Sequence, residues 1–186
     1  AVRSSANLED LPNASFAGQH DTFLSVPNLD VALLRIKECW ASIWNVNAIK
    51  YRQEKDFNQN NVCLAIIIQE MLKPEISGVT FTFNAISMKK EEIVINAGRG
   101  LGEEVVSGRS CPDTYIYNTK NKKVFYMSVN GKIVLEKYCI ATPIINESIL
   151  HRGMIERLVK KCKKIESHFA LPQDIEWALC KKRLYI

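Results

Sequence analysis

Two carboxylates near the end of the chain, Asp174 and Glu176, stand two residues apart in the stretch Asp-Ile-Glu-Trp-Ala-Leu. In a β-strand that spacing puts both side chains on one face, while Ile175, Trp177 and Leu179 turn the other way. Paired hard oxygen donors suit Mg²⁺, which takes one or two protein carboxylates and completes its shell with phosphate and water oxygens. An exposed strand face with two solvated acids has the same pattern, and spacing alone does not choose between them. At the other end, Arg3 precedes Ser4-Ser5 and, further on, Ala14-Ser15-Phe16-Ala17-Gly18-Gln19-His20-Asp21-Thr22. A guanidinium fork, loop backbone N–H groups and a hydroxyl can together hold a polyphosphate. Gly18 would let the backbone approach it closely. An ordinary surface loop has this composition too.

Other features carry less chemistry. Gly98, Gly100 and Gly102 bracket Arg99 and precede Glu103, but their spacing is wrong for a dinucleotide fingerprint and no βαβ pattern surrounds them. Arg99 and Glu103 stay as secondary cleft candidates. The net charge of +5 owes much to Lys160, Lys161, Lys163 and Lys164. Such a run reads first as a solvated helix face; the alternative is a basic module that binds nucleic acid. The six cysteines contain no CxxC pair and no zinc-site rhythm, so a reduced, cytoplasmic protein is expected. No apolar run reaches membrane-span length and no signal peptide opens the chain. It begins without Met and stops inside the apolar Leu184-Tyr185-Ile186, which reads as a segment cut at both ends.

The elements that must position these groups follow from periodicity. Residues 4–19 read as loop. Leu33, Leu34, Ile36, Trp40, Ile43 and Trp44 predict one amphipathic helix over 29–51, capped by Asn28 or Asp30. The apolar run 62–68 predicts a buried strand, ended by Pro74. Strands are expected over 78–83 and 92–96, then a bend at the three glycines. Further strands are expected near 115–117, 123–129 and 133–138, the last two joined at Asn130-Gly131. A helix over 149–169 precedes strands at 174–179 and 183–186, joined at Cys180-Lys181-Lys182. Strands outnumber helices without regular alternation, so the class is α+β.

Five ordered stretches carry a resemblance: AVRSSANLEDLPNASFAGQHDTFLSV, CWASIW with residues 48–52, IIIQEMLKPEISGVTFTFN, INAGRGLGEEVVSGRSCPDTY and PQDIEWAL. Together they resemble the nucleotide domain of the dikinase family, in the branch of phosphoenolpyruvate synthase and rifampin phosphotransferase. The resemblance spans essentially the whole chain, leaving only about 118–166 without a distinctive motif. It implies an ATP-grasp-type domain over 1–186, incomplete at both ends, with an inter-lobe hinge near 69–73.

The same resemblance assigns roles. Arg3 matches the catalytic, ATP-phosphate arginine; Gly18, Gln19 and Thr22 match the loop that folds over the phosphates. His20 stands where relatives often have Gln and receives no catalytic role. Gln69, Glu70 and Met71 match the hinge that holds adenine, although Gln69 can equally be a mere strand end. Glu176 matches the metal ligand, with Asp174 in support. ATP and Mg²⁺ are the implied ligands. A phosphohistidine domain of the same parent polypeptide is the implied partner, passing phosphate on to pyruvate or, in the alternative, to rifampin. The lysine-bearing segment, the second metal contact and the acceptor domain would lie outside 1–186, so the segment alone is expected to be inactive.

Overall fold

A computed structural model describes residues 1–7, 21–102, 111–129, 132–136, 139–140 and 148–186. It divides the chain into two compact units, Ala1–Met71 and Leu72–Ile186. Both combine helices with antiparallel sheet, so the α+β class holds.

The first unit is built on a three-stranded antiparallel sheet. Strand β1 (Val2–Ala6) lies between β2 (Thr22–Phe23) and β3 (Leu64–Ile68). The strand therefore extends to Ala6, into the stretch 4–19 read as loop: Ser4 and Ser5 are small enough to sit in a central strand between two partners. Helix α1 (Leu29–Ser42) covers one face, packing Ala32 and Cys39 with Val2, Phe23, Leu64 and Ile66. Asn28 is its cap, accepting from the Val31 amide at 3.0 Å. β3 is an edge strand rather than a buried one; Ile67 and Ile68 are 47% and 67% exposed. An unbroken apolar run predicts burial on both faces, but among the described residues helix packing covers one side of this sheet.

The single helix expected over 29–51 is two. Helix α2 (Val46–Glu54) restarts after Asn45, whose backbone is extended. Arg52 explains how the break is held. Its guanidinium donates from Nη2 to the Ile43 carbonyl at 2.7 Å and from Nε to Gln59 Oε1 at 2.6 Å. The Ser42 hydroxyl donates to the Cys39 carbonyl at 2.7 Å, so side chains serve the carbonyls freed near the corner.

The second unit is an eight-stranded antiparallel sheet. Its strands are β4 (Ile76–Phe81), β5 (Glu92–Arg99), β6 (Asp113–Asn118), β7 (Lys123–Val129), β8 (Lys132–Glu136), β9 (Cys139–Ile140), β10 (Asp174–Cys180) and β11 (Arg183–Tyr185). Across the sheet the order is β11-β10-β4-β5-β6-β7-β8-β9. β7 and β8 pair as expected; the Asn130-Gly131 link lies outside the described residues. Helix α3 (Arg152–Phe169) packs Ile155, Leu158, Val159 and Cys162 on Ile93, Ile95, Tyr115, Ile175 and Trp177. It starts three residues later than its apolar pattern suggests, because Ile149 and Leu150 belong to the approach and His151 is the cap. Lys160, Lys161 and Lys164 are exposed on its outer side, and Lys163 pairs with Glu166. Gly98 is not in a bend but inside β5, paired with Ser77; of the three glycines only Gly100 has positive φ, 78°.

The β10–β11 turn places Lys181 and Lys182 at φ 49° and 65°, as a two-residue hairpin requires. Among the described residues no helix is long and apolar enough to cross a membrane. Five described cysteines are free.

Candidate functional site

In the first unit, Arg3 sits at the middle of a row. Its register partners are Thr22 on β2 and Ile67 on β3. Directly paired residues share a face, so Arg3 and Thr22 project together. Val2 alternates with Arg3 and is buried under α1, which leaves Arg3 exposed on the opposite face, where no described element packs. Two positions along the ladder, Ala1 and Gln69 exchange backbone hydrogen bonds, Ala1 N to Gln69 O at 2.7 Å and Gln69 N to Ala1 O at 3.0 Å. Strand alternation thus gives Gln69 the same face as Arg3 and Thr22. Glu70 is exposed and Met71 half-buried in the connector where the first unit ends.

Gly18, Gln19 and His20 lie outside the described residues, but both ends of the segment 8–20 are anchored. At its start, Asn7 donates from N to the Cys63 carbonyl at 3.0 Å and from Nδ2 to the Asn61 carbonyl at 3.0 Å. Its Oδ1 also accepts from the Cys63 amide at 2.9 Å. At its end, the Asp21 carbonyl accepts from the Ser4 hydroxyl at 3.1 Å and from Cys39 Sγ at 3.4 Å. The residues flanking the segment are thus fixed at opposite ends of β1, Asn7 beside Cys63 and Asp21 near Arg3, through side-chain bonds that the loop-like composition did not reveal.

In the second unit, β10 alternates as its sequence requires. Ile175 and Trp177 are buried under α3, and Asp174 and Glu176 are exposed on the other face. The Trp177 indole donates to Thr80 Oγ1 at 3.0 Å, and the Gln173 amide donates to Thr82 Oγ1 at 2.8 Å. Those bonds pin β10 to β4 on both sides of Glu176. Gly78 makes room for the indole: a Cβ there would lie 2.8 Å from Trp177 Cζ2 and 2.0 Å from the Asn96 carbonyl oxygen.

Asp174 has its carboxyl pushed above the usual carboxylate range, first by partial desolvation and then by the neighbouring charge of Glu176. A carboxylate pair on one strand face, with Asp174 partly desolvated, fits a cation with hard-ligand preference. Among the described residues no cluster of three or more acidic, His or Cys side chains exists, so this pair suits an ion that draws its other ligands from a bound phosphate and water.

The row through Glu176 continues across the face opposite α3 as Val79, which is buried, Asn96 and Thr114. Thr114 donates its hydroxyl to Asn96 Oδ1 at 3.0 Å. Sequence reasoning passed over Asn96; its signal was an amide in an otherwise apolar strand, two residues from Val94 on the same face. Arg99 is exposed at the end of β5, and Glu103 lies outside the described residues.

Comparison with known proteins bears on this arrangement. A family model described as "Pyruvate phosphate dikinase, AMP/ATP-binding domain" matches residues 1–186. A probable phosphoenolpyruvate synthase of Archaeoglobus fulgidus is 40% identical over 196 residues, covering 100% of this chain and 26% of the relative. The phosphoenolpyruvate synthase of Pyrococcus furiosus is 40% identical over 203 residues, again 100% of this chain and 25% of its own length. A rifampicin phosphotransferase of Bacillus subtilis is 37% identical over 196 residues, 100% of this chain and 22% of the relative. The chain thus spans about a quarter of the length of these relatives. With both of its units inside the matched region, the chain belongs to the pyruvate phosphate dikinase AMP/ATP-binding domain family.

Proposed function

We propose that this chain is the Mg-ATP-binding part of a phosphoenolpyruvate synthase, with an ATP-grasp-type arrangement. The parent enzyme would move a phosphoryl group from ATP to a histidine on a separate swivelling domain and then to pyruvate. The observation that supports the reading is the register pairing of Arg3 with Thr22, with Gln69, two positions beyond Ile67, on the same face. A forked cation beside a hydroxyl donor is suited to phosphate oxygens. The connector 69–73, with Gln69, Glu70 and Met71, would act as inter-lobe hinge and adenine edge.

In such a transfer the protein mainly positions the phosphates and neutralises their charge. Arg3 supplies fixed positive charge and bidentate geometry. Gly18, Gln19 and Thr22 would close backbone and hydroxyl donors over the phosphates. Glu176, supported by Asp174, would hold the Mg²⁺, which when bound offsets charge on the phosphate oxygens. The rifampicin phosphotransferase relative supports a second reading, in which the same ATP-binding part serves an antibiotic acceptor.

The test is Mg-ATP binding and phosphoenzyme formation by the full-length parent enzyme carrying Arg3→Ala or Glu176→Ala. Each variant should lose phosphoenzyme formation by orders of magnitude. Wild-type behaviour in both would overturn the site. Product analysis with pyruvate against rifampicin separates the two readings.

A further inference from the structure

Behind the carboxylate face, on the side of the second sheet that carries α3, a cavity of about 380 Å³ opens between the β6–β7 turn and the start of the helix. Its floor is apolar, formed by Val124, Leu150 and Ile155. Tyr117 also lines it and is 7% exposed. The Tyr117 hydroxyl has no hydrogen-bond partner among the described residues, although it sits near Arg152 and Glu156. Burial, and secondarily Glu156, push the phenol up, so it remains a proton donor.

The rim is cationic. Asn118 Oδ1 accepts from the Lys120 and Asn121 amides at 3.0 Å each, which fixes the turn. Lys122 then takes a left-handed backbone, φ 53°, and Lys122 and Lys123 both border the cavity. Neither lysine has a carboxylate partner among the described residues. Arg152 reaches the same space but is paired with Glu156 at 2.8 Å. His151 caps the 18-residue helix, accepting at Nδ1 from the Met154 amide at 3.3 Å, and both His151 and Arg152 at its positive end line the cavity.

We infer that this cavity binds a small ligand with an oxyanion head and an apolar body, the head held by Lys122, Lys123 and the Tyr117 hydroxyl. Its size lies in the ordinary range for small-molecule sites. It uses none of the residues proposed for ATP and lies on the opposite face of the sheet from Asp174 and Glu176. The site is thus independent of the reading above.

The experiment is a titration of the isotope-labelled protein with phenyl phosphate and, separately, inorganic phosphate, followed by amide and tyrosine-ring NMR shifts. Saturable shifts at Tyr117, Arg152 and Gly153 are expected, with phenyl phosphate binding more tightly than phosphate. Lys122→Gln with Lys123→Gln should weaken binding about fivefold, the scale expected for two exposed charges. Tyr117→Phe should weaken it while leaving the fold's spectrum intact. Glu156→Gln should strengthen it, by removing the opposing charge. Unsaturable shifts, or equal binding by the lysine variant, would overturn the site. Nuclear Overhauser contacts from the Tyr117 ring to residues 141–147 would also overturn it, by showing that the chain itself fills the space. Mg-ATP titrated in parallel should be unaffected by the lysine variant, which separates failure of this site from failure of the ATP reading.

Discussion

Trp177 donates its indole N–H to the hydroxyl of Thr80 at 3.0 Å, and both residues are buried beneath α3. Because Glu176 is the immediate neighbour of Trp177, this bond decides which face of the sheet the carboxylate occupies. A strand slipped by one residue would turn Glu176 into the core and Trp177 into solvent.

Removing the acceptor tests that relationship. Thr80→Val keeps the shape but leaves the buried indole N–H unpaired, which costs about 1–3 kcal/mol. Denaturant unfolding should show the loss as a lower midpoint at unchanged slope.

Gly78→Ala should be more severe. The added methyl meets the Asn96 carbonyl oxygen at 2.0 Å, a backbone atom that cannot swing aside. A cost of about 3 kcal/mol, the upper end for overpacking, is expected. Thermal unfolding would measure it, and Trp177→Leu in the same background should restore little, since the backbone clash remains.

Arg52 is fully buried, with Nη1 lacking a hydrogen-bond partner among the described residues and desolvation lowering its pKa. Arg52→Met would leave the Ile43 carbonyl and Gln59 side chain without their donor. Destabilisation on the order of 3 kcal/mol is expected, read as earlier unfolding of the first unit by hydrogen exchange at the α1–α2 corner.

Glu92 gives a pH prediction. Burial alone would raise its pKa, but hydrogen bonds from Ser87, Lys89 and Asn84 outweigh it and the net shift is downward. A depressed folded-state pKa means stability that is present above the unfolded value and lost as pH falls through the folded one. Glu92→Gln should therefore flatten the acid limb of the stability–pH curve below the ordinary glutamate range, while also lowering stability at pH 7.

Asp174 has the opposite sign. Its raised pKa means a favourable contribution below the unfolded value that disappears as pH rises through the folded one. Asp174→Asn should accordingly raise the melting temperature of the metal-free protein slightly at pH 7. The same variant should reduce the further rise produced by Mg-ATP, if the carboxylate pair holds the ion.

Much of the second unit was legible because β10 and α3 each have one buried and one exposed face. The alternation Asp-Ile-Glu-Trp stated the orientation of β10 before any neighbour was known, and the stripe Ile155, Leu158, Val159 and Cys162 stated the buried side of α3. The first unit was less legible. Ile36, Trp40, Ile43 and Trp44 keep helical period through the corner, so periodicity could not register that Arg52 supplies a donor to Ile43 from nine residues away. Likewise the apolar run 62–68 could not announce that β3 would be an edge, since edge or centre is a property of neighbours.

What the residues determined alone was therefore local: face, period, cap and turn, all set by backbone geometry over a few positions. Only the tertiary structure decided that Arg3 faces Thr22, that Ala1 locks onto Gln69, and that Glu176 shares a row with Asn96. Those relations depend on strand register, and register is settled by packing and hydrogen bonds between segments far apart in sequence, such as the 97 positions between Thr80 and Trp177.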